Sequence, residues 1–361
     1  MRIVFTLCII MLSVIFQITF VSAQENKSQN TDDQDIEKNI DKLLKDSEKK
    51  EDAGKTKKIT LNHIIDRISI PNIFVAADFV GERDINNGRE DAITKNGFFA
   101  REIEFGFSTA IDHLALGNVL FAVHNEAGQY FVELHEAYFE FNKLPLNLYL
   151  KLGRFFLDAG RLNTIHRHDW DFTNAPLVHE KLFDLEGVYD QGGELSLLIP
   201  LPFYQELKIG VFNGRTWGHT HGDGPVKPYP LVTGRLKNFF PIYGKWGTQF
   251  GFTYIRYSVD EEKANIDNSF GADLTVKWKK GRYGSFIFTY EIWYRTEERE
   301  DTALAKKFGW YGYMMYQVFQ QWYVGARIDY FAEVGVYVEA LDKKINRTNK
   351  GQSMWITYRP S

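Results

Sequence analysis

Apolar side chains recur at every second position over long stretches of this chain, and no stretch beyond residue 23 is apolar for long enough to build a membrane-spanning helix. In LNLYLKLGRF, Leu146, Leu148, Leu150 and Leu152 share one face, with Asn147, Tyr149, Lys151 and Gly153 on the other. In FGADLTVKWKK, Phe270, Ala272, Leu274, Val276 and Trp278 alternate with Gly271, Asp273, Thr275, Lys277 and Lys279. WYVGARIDYF and FFAREIEFGFSTAID repeat the pattern, the first placing Arg327 and Asp329 opposite Ile328 and Tyr330, the second Glu102 and Glu104 opposite Ile103, Phe105 and Phe107. A period of two is strand periodicity. The runs are about 9 to 14 residues long, as a tilted crossing of a bilayer requires. A sandwich would also alternate, but with shorter strands and an aliphatic inner face. Here the apolar face carries Phe, Tyr and Trp near strand ends, which suits girdles at two membrane interfaces. Without a long apolar helix, a chain spans a membrane as a closed barrel. The expected fold is all-β, a transmembrane antiparallel β-barrel.

The connections test this independently, because an outer-membrane barrel has short turns at one end and longer loops at the other. Short links fall at 112–114, 143–145, 200–202, in PIYGK after Phe240, in KKGR from Lys279 and at Gln320-Gln321. Between them lie GERDINNGREDAITKNG, NEAGQ, residues 158–190, GRTWGHTHGDGPVKPYP, VDEEKANID, TEEREDTALAKK and GVYVEALDKKINRTNK, of which one is short. That alternation gives about 14 strands from a first strand near residues 72–81.

Three segments follow. Residues 1–23, MRIVFTLCIIMLSVIFQITFVSA, have the basic start, apolar run and small-residue end of a cleaved secretory signal; an uncleaved anchor is the alternative. Residues 24–68 are polar and poor in aromatics, a periplasmic linker or short helix. Residues 69–361 hold nearly all of the 29 Phe, 19 Tyr and 8 Trp, and form the barrel. The single cysteine, Cys8, lies in the leader, so the exported chain has no disulfide and no thiol nucleophile. A net charge of −4 does not suggest a nucleic-acid partner. Neither a phosphate-binding loop, nor HExxH, nor a GxSxG elbow occurs, so no catalytic residue and no cofactor are expected.

The third long link, DAGRLNTIHRHDWDFTNAPLVHEKLFDLEGVYD at 158–190, is the longest of all. It offers charged and polar groups for a water column in Arg161, His166, Arg167, His168, Asp169, His179, Glu180 and Lys181. Wall anchors are available in Leu162, Trp170, Phe172, Pro176, Leu177 and Phe183. Residues 176–184 are expected to make a helical turn started by Asn174 or Pro176. With its flanks, LKLGRFFLDAGRLNTIHRHDWDFTNAPLVHEKLFDLEGVYDQGGELSLLIP, the segment resembles the signature region of a family of Gram-negative outer-membrane porin-like proteins related to the phosphate-selective porins O and P, some of whose members carry zinc-regulated names. Gly160, Asn163, His166, His168, Trp170, Phe172, Pro176, Glu186, Gly187, Asp190 and Gly192 carry the match. The resemblance implies a lumen narrowed by this loop. It also implies about two further strands, in a barrel of roughly 16, beyond the last segment here. Pairing between residues 73–80 and 353–358 is therefore expected to be absent or irregular.

The chain mixes acids with inward bases: Glu102, Glu104, Lys151, Asp273, Lys277, Glu291, Arg295, Arg327 and Asp329 are expected to line the pore. Opposed charges across a narrow pore filter solutes by polarity and size. A metal site would draw on His166 and His168, with His219 and His221 of HTHGDG as partners. A metal site needs three or four converging ligands, so neither pair is expected to close on one ion by itself. The function expected is passive diffusion of small hydrophilic solutes or ions through the outer membrane of a Gram-negative-type bacterium, with lipid, solutes and a homotrimeric assembly as partners. The alternatives are a metal-linked uptake protein and a surface adhesin mounted on a barrel.

Overall fold

The structure, a computed structural model, describes residues 71–359 apart from 83–96, 127–128, 185–186, 218–223, 243, 260–264, 282, 300–304 and 339–342. The leader at 1–23, the linker at 24–68, Glu186, His219 and His221 lie outside the described residues.

Fourteen strands run in chain order: β1 (Asn72–Glu82), β2 (Gly97–Ala110), β3 (Ala115–Glu126), β4 (Gln129–Leu144) and β5 (Leu148–Phe156) lead to the long loop. Beyond it come β6 (Tyr189–Pro200), β7 (Tyr204–Phe212), β8 (Leu231–Ile242), β9 (Trp246–Ser258) and β10 (Ile266–Lys279). The last four are β11 (Ser285–Glu298), β12 (Ala305–Gln317), β13 (Trp322–Val338) and β14 (Lys343–Tyr358). All belong to one sheet in sequence order, each antiparallel to its chain neighbour. Among the described residues one α-helix, α1 (Leu177–Phe183), lies in the β5–β6 loop after Pro176. No helix among the described residues is long and apolar enough to cross a membrane. The all-β, fourteen-stranded antiparallel architecture expected from the alternation is what the chain adopts.

The sheet is inverted relative to a soluble one. Glu102, Glu104, Thr253, Asp273, Thr275, Glu291, Arg295, Arg327 and Asp329 are buried, while Phe105, Phe107, Phe252, Phe270, Ile328 and Val334, their strand neighbours, are exposed. Aromatic pairs gather at the ends of the strands next to the short turns. Trp246 and Trp278 lie 6.0 Å apart, Trp322 and Tyr358 5.0 Å, and Phe203 and Phe240 4.4 Å. The turns use local chemistry: Asp112 Oδ1 accepts the N–H groups of Leu114 and Ala115 at 2.7 and 2.8 Å, an Asx turn that reverses the chain.

Two boundaries differ from the expectation. Leu146 does not begin a strand; Pro145–Asn147 form a 3-10 turn with Leu146 and Asn147 at φ 62° and 57°, and pairing starts at Leu148. GVYVEALDKKINRTNK is mostly strand rather than loop, since β13 runs to Val338 and β14 starts at Lys343. A bulge between Glu333 and Val336, with Gly335 at φ 74°, hides the alternation there. Two of the long-side links, 127–128 and 339–342, are therefore short, not one. No ladder joins β1 to β14 among the described residues, as expected for 73–80 and 353–358. Both strands nevertheless border one cavity of ≈ 310 Å³, between Phe79 on one side and Ile356 on the other, with Arg167 to Thr173 of the loop behind.

Candidate functional site

The β5–β6 loop lies against the inner face. Its Leu157, Leu162, Phe172, Val178, Leu182 and Phe183 pack with Phe212, Leu231, Ile255, Trp293, Tyr311 and Phe331 of the wall in one apolar cluster. Burial of a side chain of this size contributes about 1.5–3 kcal/mol, enough to make the loop a packed element. Close approach is required at Gly160: its φ is 67°, and a Cβ there would run into the Glu291 carboxylate and lie 2.8 Å from the Trp293 ring.

Polar wall residues seat the loop's backbone. Thr253 Oγ1 accepts from Gly160 N at 3.3 Å, and Glu291 Oε2 from Arg161 N at 3.2 Å. Arg295 donates to the Leu182 carbonyl at 2.9 Å, Arg327 to that of Asn174 at 2.7 Å and Arg101 to that of Thr173 at 2.7 Å. Asp171 accepts from Tyr313 at 2.9 Å and from Arg359 at 2.6 Å. The sequence places Glu291, Arg295, Arg327 and Asp329 toward water. The structure puts the loop on top of them, because a backbone laid over a wall needs partners for its carbonyls and N–H groups.

Beside the loop remains a cavity of ≈ 330 Å³, lined by Glu140, Lys151, Asp158, Glu194, Glu206 and Lys208 among others. Asp158, just past β5, is its buried hub. Arg235 Nε approaches it at 2.9 Å and Lys208 at 3.1 Å, and Lys237 also pairs with it. Burial would raise the Asp158 carboxyl, but these cations outweigh it and hold it at about 2. Arg235 continues to Asp273 at 2.9 Å.

On the other flank an acid and histidine cluster joins β2, β3, β4 and the loop. Glu104 Oε1 lies 3.0 Å from His166 Nδ1 and 3.6 Å from His135 Nδ1, and Glu104 Oε2 lies 3.1 Å from His168 Nδ1. His124 and His135, both buried, bring their Nε2 atoms to 2.8 Å, and Glu102 stands 3.7 Å from His135. Burial alone would lower His166, yet the carboxylates of Glu104 and Glu136 hold it up at about 10. His168 is raised chiefly by its hydrogen bond to Glu104. His166 and His168 thus meet on one carboxylate, although neither pair was expected to close on an ion by itself. Their rings lie on one side of the segment at the 3-10 turn Arg167–Asp169, with centroids 5.9 Å apart.

The other expected constriction residues divide. Asp169 is exposed, Glu180 and Lys181 pair with each other at 3.0 Å, and Trp170 donates to the Ile165 carbonyl at 2.8 Å. His179 faces no lumen. It is enclosed between Trp170 and Phe183 at 5.6 Å each, and burial, helped by Arg167, holds it neutral at about 4. Lys277 is exposed and Lys151 half-buried, 3.9 Å from Glu136. Sequence reasoning missed His124, His135, Asp158, Lys208, Arg235 and Lys237. Strand alternation in GRLKNF does set Arg235 and Lys237 on one face.

No family model matches the chain. An uncharacterized protein of Aquifex aeolicus (strain VF5) is 29% identical over 238 residues, which is 59% of this chain and 50% of the relative, so the chain spans about half the length of the curated relative it matches. Among solved structures, the anion-selective porin from Comamonas acidovorans aligns at 11% identity and a TM-score of 0.44, over 71% of this chain and 76% of that one. The outer membrane channel DcaP of Acinetobacter baumannii aligns at 9% and 0.41, over 80% and 97%. OmpT, an outer membrane protein of Vibrio cholerae, aligns at 11% and 0.38, over 79% and 95%.

Proposed function

We propose that the protein is an outer-membrane channel for small hydrophilic solutes or ions whose lumen is narrowed by residues 158–190. The observation that carries this reading is the inverted sheet. An exposed apolar face opposite a buried charged one is stable where hydrocarbon lies outside and polar groups meet within. Aromatic pairs at the short-turn ends suit an interface with lipid headgroups. The loop fills one part of the inner space, and the charged cavity about Asp158, Lys208 and Glu194 is the passage that it leaves. A lining that mixes acids with bases favours a filter by size and polarity over one tuned to a single anion. Export by a leader at 1–23 and assembly as a homotrimer belong to the same reading.

The test is conductance in planar bilayers. The full chain is expected to give steady ohmic steps, and deletion of residues 163–181 to enlarge them. A folded, inserted protein without steps would refute the channel, and equal steps from the deletion variant would make the loop external to the path.

A further inference from the structure

We propose that Glu104, His135 and His166 form a binding site for one divalent transition-metal ion of the zinc class, tying the wall to the loop, with His168 on the second Glu104 oxygen. Their ligand atoms all lie within 4.8 Å of one another. Donors of a tetrahedral ion with bonds of about 2.0–2.1 Å stand about 3.3 Å apart. The observed separations from Glu104 Oε1, 3.0 Å to His166 Nδ1 and 3.6 Å to His135 Nδ1, bracket that value. Imidazoles with one carboxylate select zinc, nickel or copper over magnesium and calcium, which prefer oxygen.

The surroundings supply what ligand histidines require. The far nitrogen of His135 meets His124 at 2.8 Å, leaving Nδ1 turned toward Glu104, and Glu136 Oε2 lies 3.6 Å from the far nitrogen of His166. Partners of this kind fix the tautomer and orientation of a metal-bound ring. A second triad, Glu102, His124 and His135, shares His135. The set containing the loop is preferred because Glu104 and His166 already stand at 3.0 Å, where Glu102 lies 3.7 Å from His135 and 4.0 Å from His124. Alternation from Glu133 places His135 inward, and the bulge beside it, opposite Leu120 and Phe121, brings Glu136 to the same face.

An ion held by β2, β4 and the loop would fasten residues 166–168 to the wall. Binding itself stands apart from the channel reading, while any effect on conductance rests on it. The test titrates the purified full chain in detergent with Co²⁺, then with Zn²⁺ as competitor. One equivalent of Co²⁺ is expected to saturate visible absorption bands of tetrahedral form. Glu104→Gln and His166→Gln are each expected to weaken binding about tenfold or more, and His124→Gln to weaken it less. X-ray absorption of the zinc-loaded parent, which needs no variant, is expected to show two or three imidazoles in the coordination shell. Absence of saturable bands, an all-oxygen shell, or binding unchanged in both Glu104→Gln and His166→Gln would overturn the site. Loss in His124→Gln with retention in His166→Gln would place the ion on the wall triad and overturn the clasp. Bands without conductance would refute the channel alone, and conductance without bands the metal site alone.

Discussion

Replacing Arg327 with methionine removes its hold on Asp329 and its hydrogen bonds to the loop at Asn174 and Ala175 at once. Its Nε donates to Asp329 at 2.9 Å, its Nη1 to the Asn174 carbonyl at 2.7 Å, and its guanidinium lies 4.3 Å over the Phe172 ring. Arg327 is 4% and Asp329 2% exposed, so the variant leaves a carboxylate buried without its countercharge. Loss of one member of such a pair costs about 3–5 kcal/mol. The double variant Arg327→Met with Asp329→Leu has no orphan charge. It loses only the seat on the loop, a hydrogen bond from a charged donor worth about 1.5–3 kcal/mol. The double variant is therefore expected to be more stable than Arg327→Met alone, although it carries one more substitution. Urea unfolding in lipid vesicles, followed by tryptophan fluorescence, measures the order, and protease nicking within 157–188 measures the seat. A seat weakened by about 1.4 kcal/mol raises the unseated fraction about tenfold. If the double variant proved as unstable as the single one, or if Arg327→Met matched the parent, the loop would not be held by this pair.

Asp158, held at about 2 by Arg235, Lys237 and Lys208, contributes stability that is present above the unfolded carboxyl value and is lost as pH falls through about 2. The loss is about 2 kcal/mol by pH 2 and is expected to vanish in Asp158→Asn, as acid unfolding curves of parent and variant will show. Gly160→Ala, at φ 67° against Glu291 and Trp293, is expected to loosen the loop by about 1–3 kcal/mol, read as faster protease nicking at 157–188. Ile328→Lys on the exposed face is expected to cost about 2–4 kcal/mol in vesicles if that face meets hydrocarbon. A change within about 0.5 kcal/mol would mean that Ile328 faces water.

The strands were readable because a period of two survives in almost every segment, and short turns such as Asp112 to Leu114 fixed their order. The end of β13 escaped because the bulge at Glu333 to Val336 resets the alternation where Asp, Lys and Asn already suggest a loop. At the candidate site the loop's anchors were visible as Leu162, Phe172 and Phe183 among charges, and all three are buried. His124 and His135 were not visible as partners. Alternation in LFAVHNE and VELHE sets each on the polar face, but the register that pairs β3 with β4 across the bulge at Leu120 and Phe121 has no residue signature. The spacing of His166 and His168 is compatible with one shared face, but their common partner Glu104 lies in β2, far away in sequence, where no local signal marks it.

The loop also has a place in the order of assembly. It is made from the middle of the chain, yet it is gripped by residues synthesised much later: Asn174 by Arg327, 153 positions on, and Asp171 by Arg359, 188 positions on. Contacts so distant in sequence form only after the intervening strands have been brought together. Until β13 and β14 are in place the loop lacks these two holds, and its apolar side chains have only part of their wall. Seating of the loop thus reports that the far end of the sheet has been built, and a half-assembled chain would leave that segment open to proteolysis.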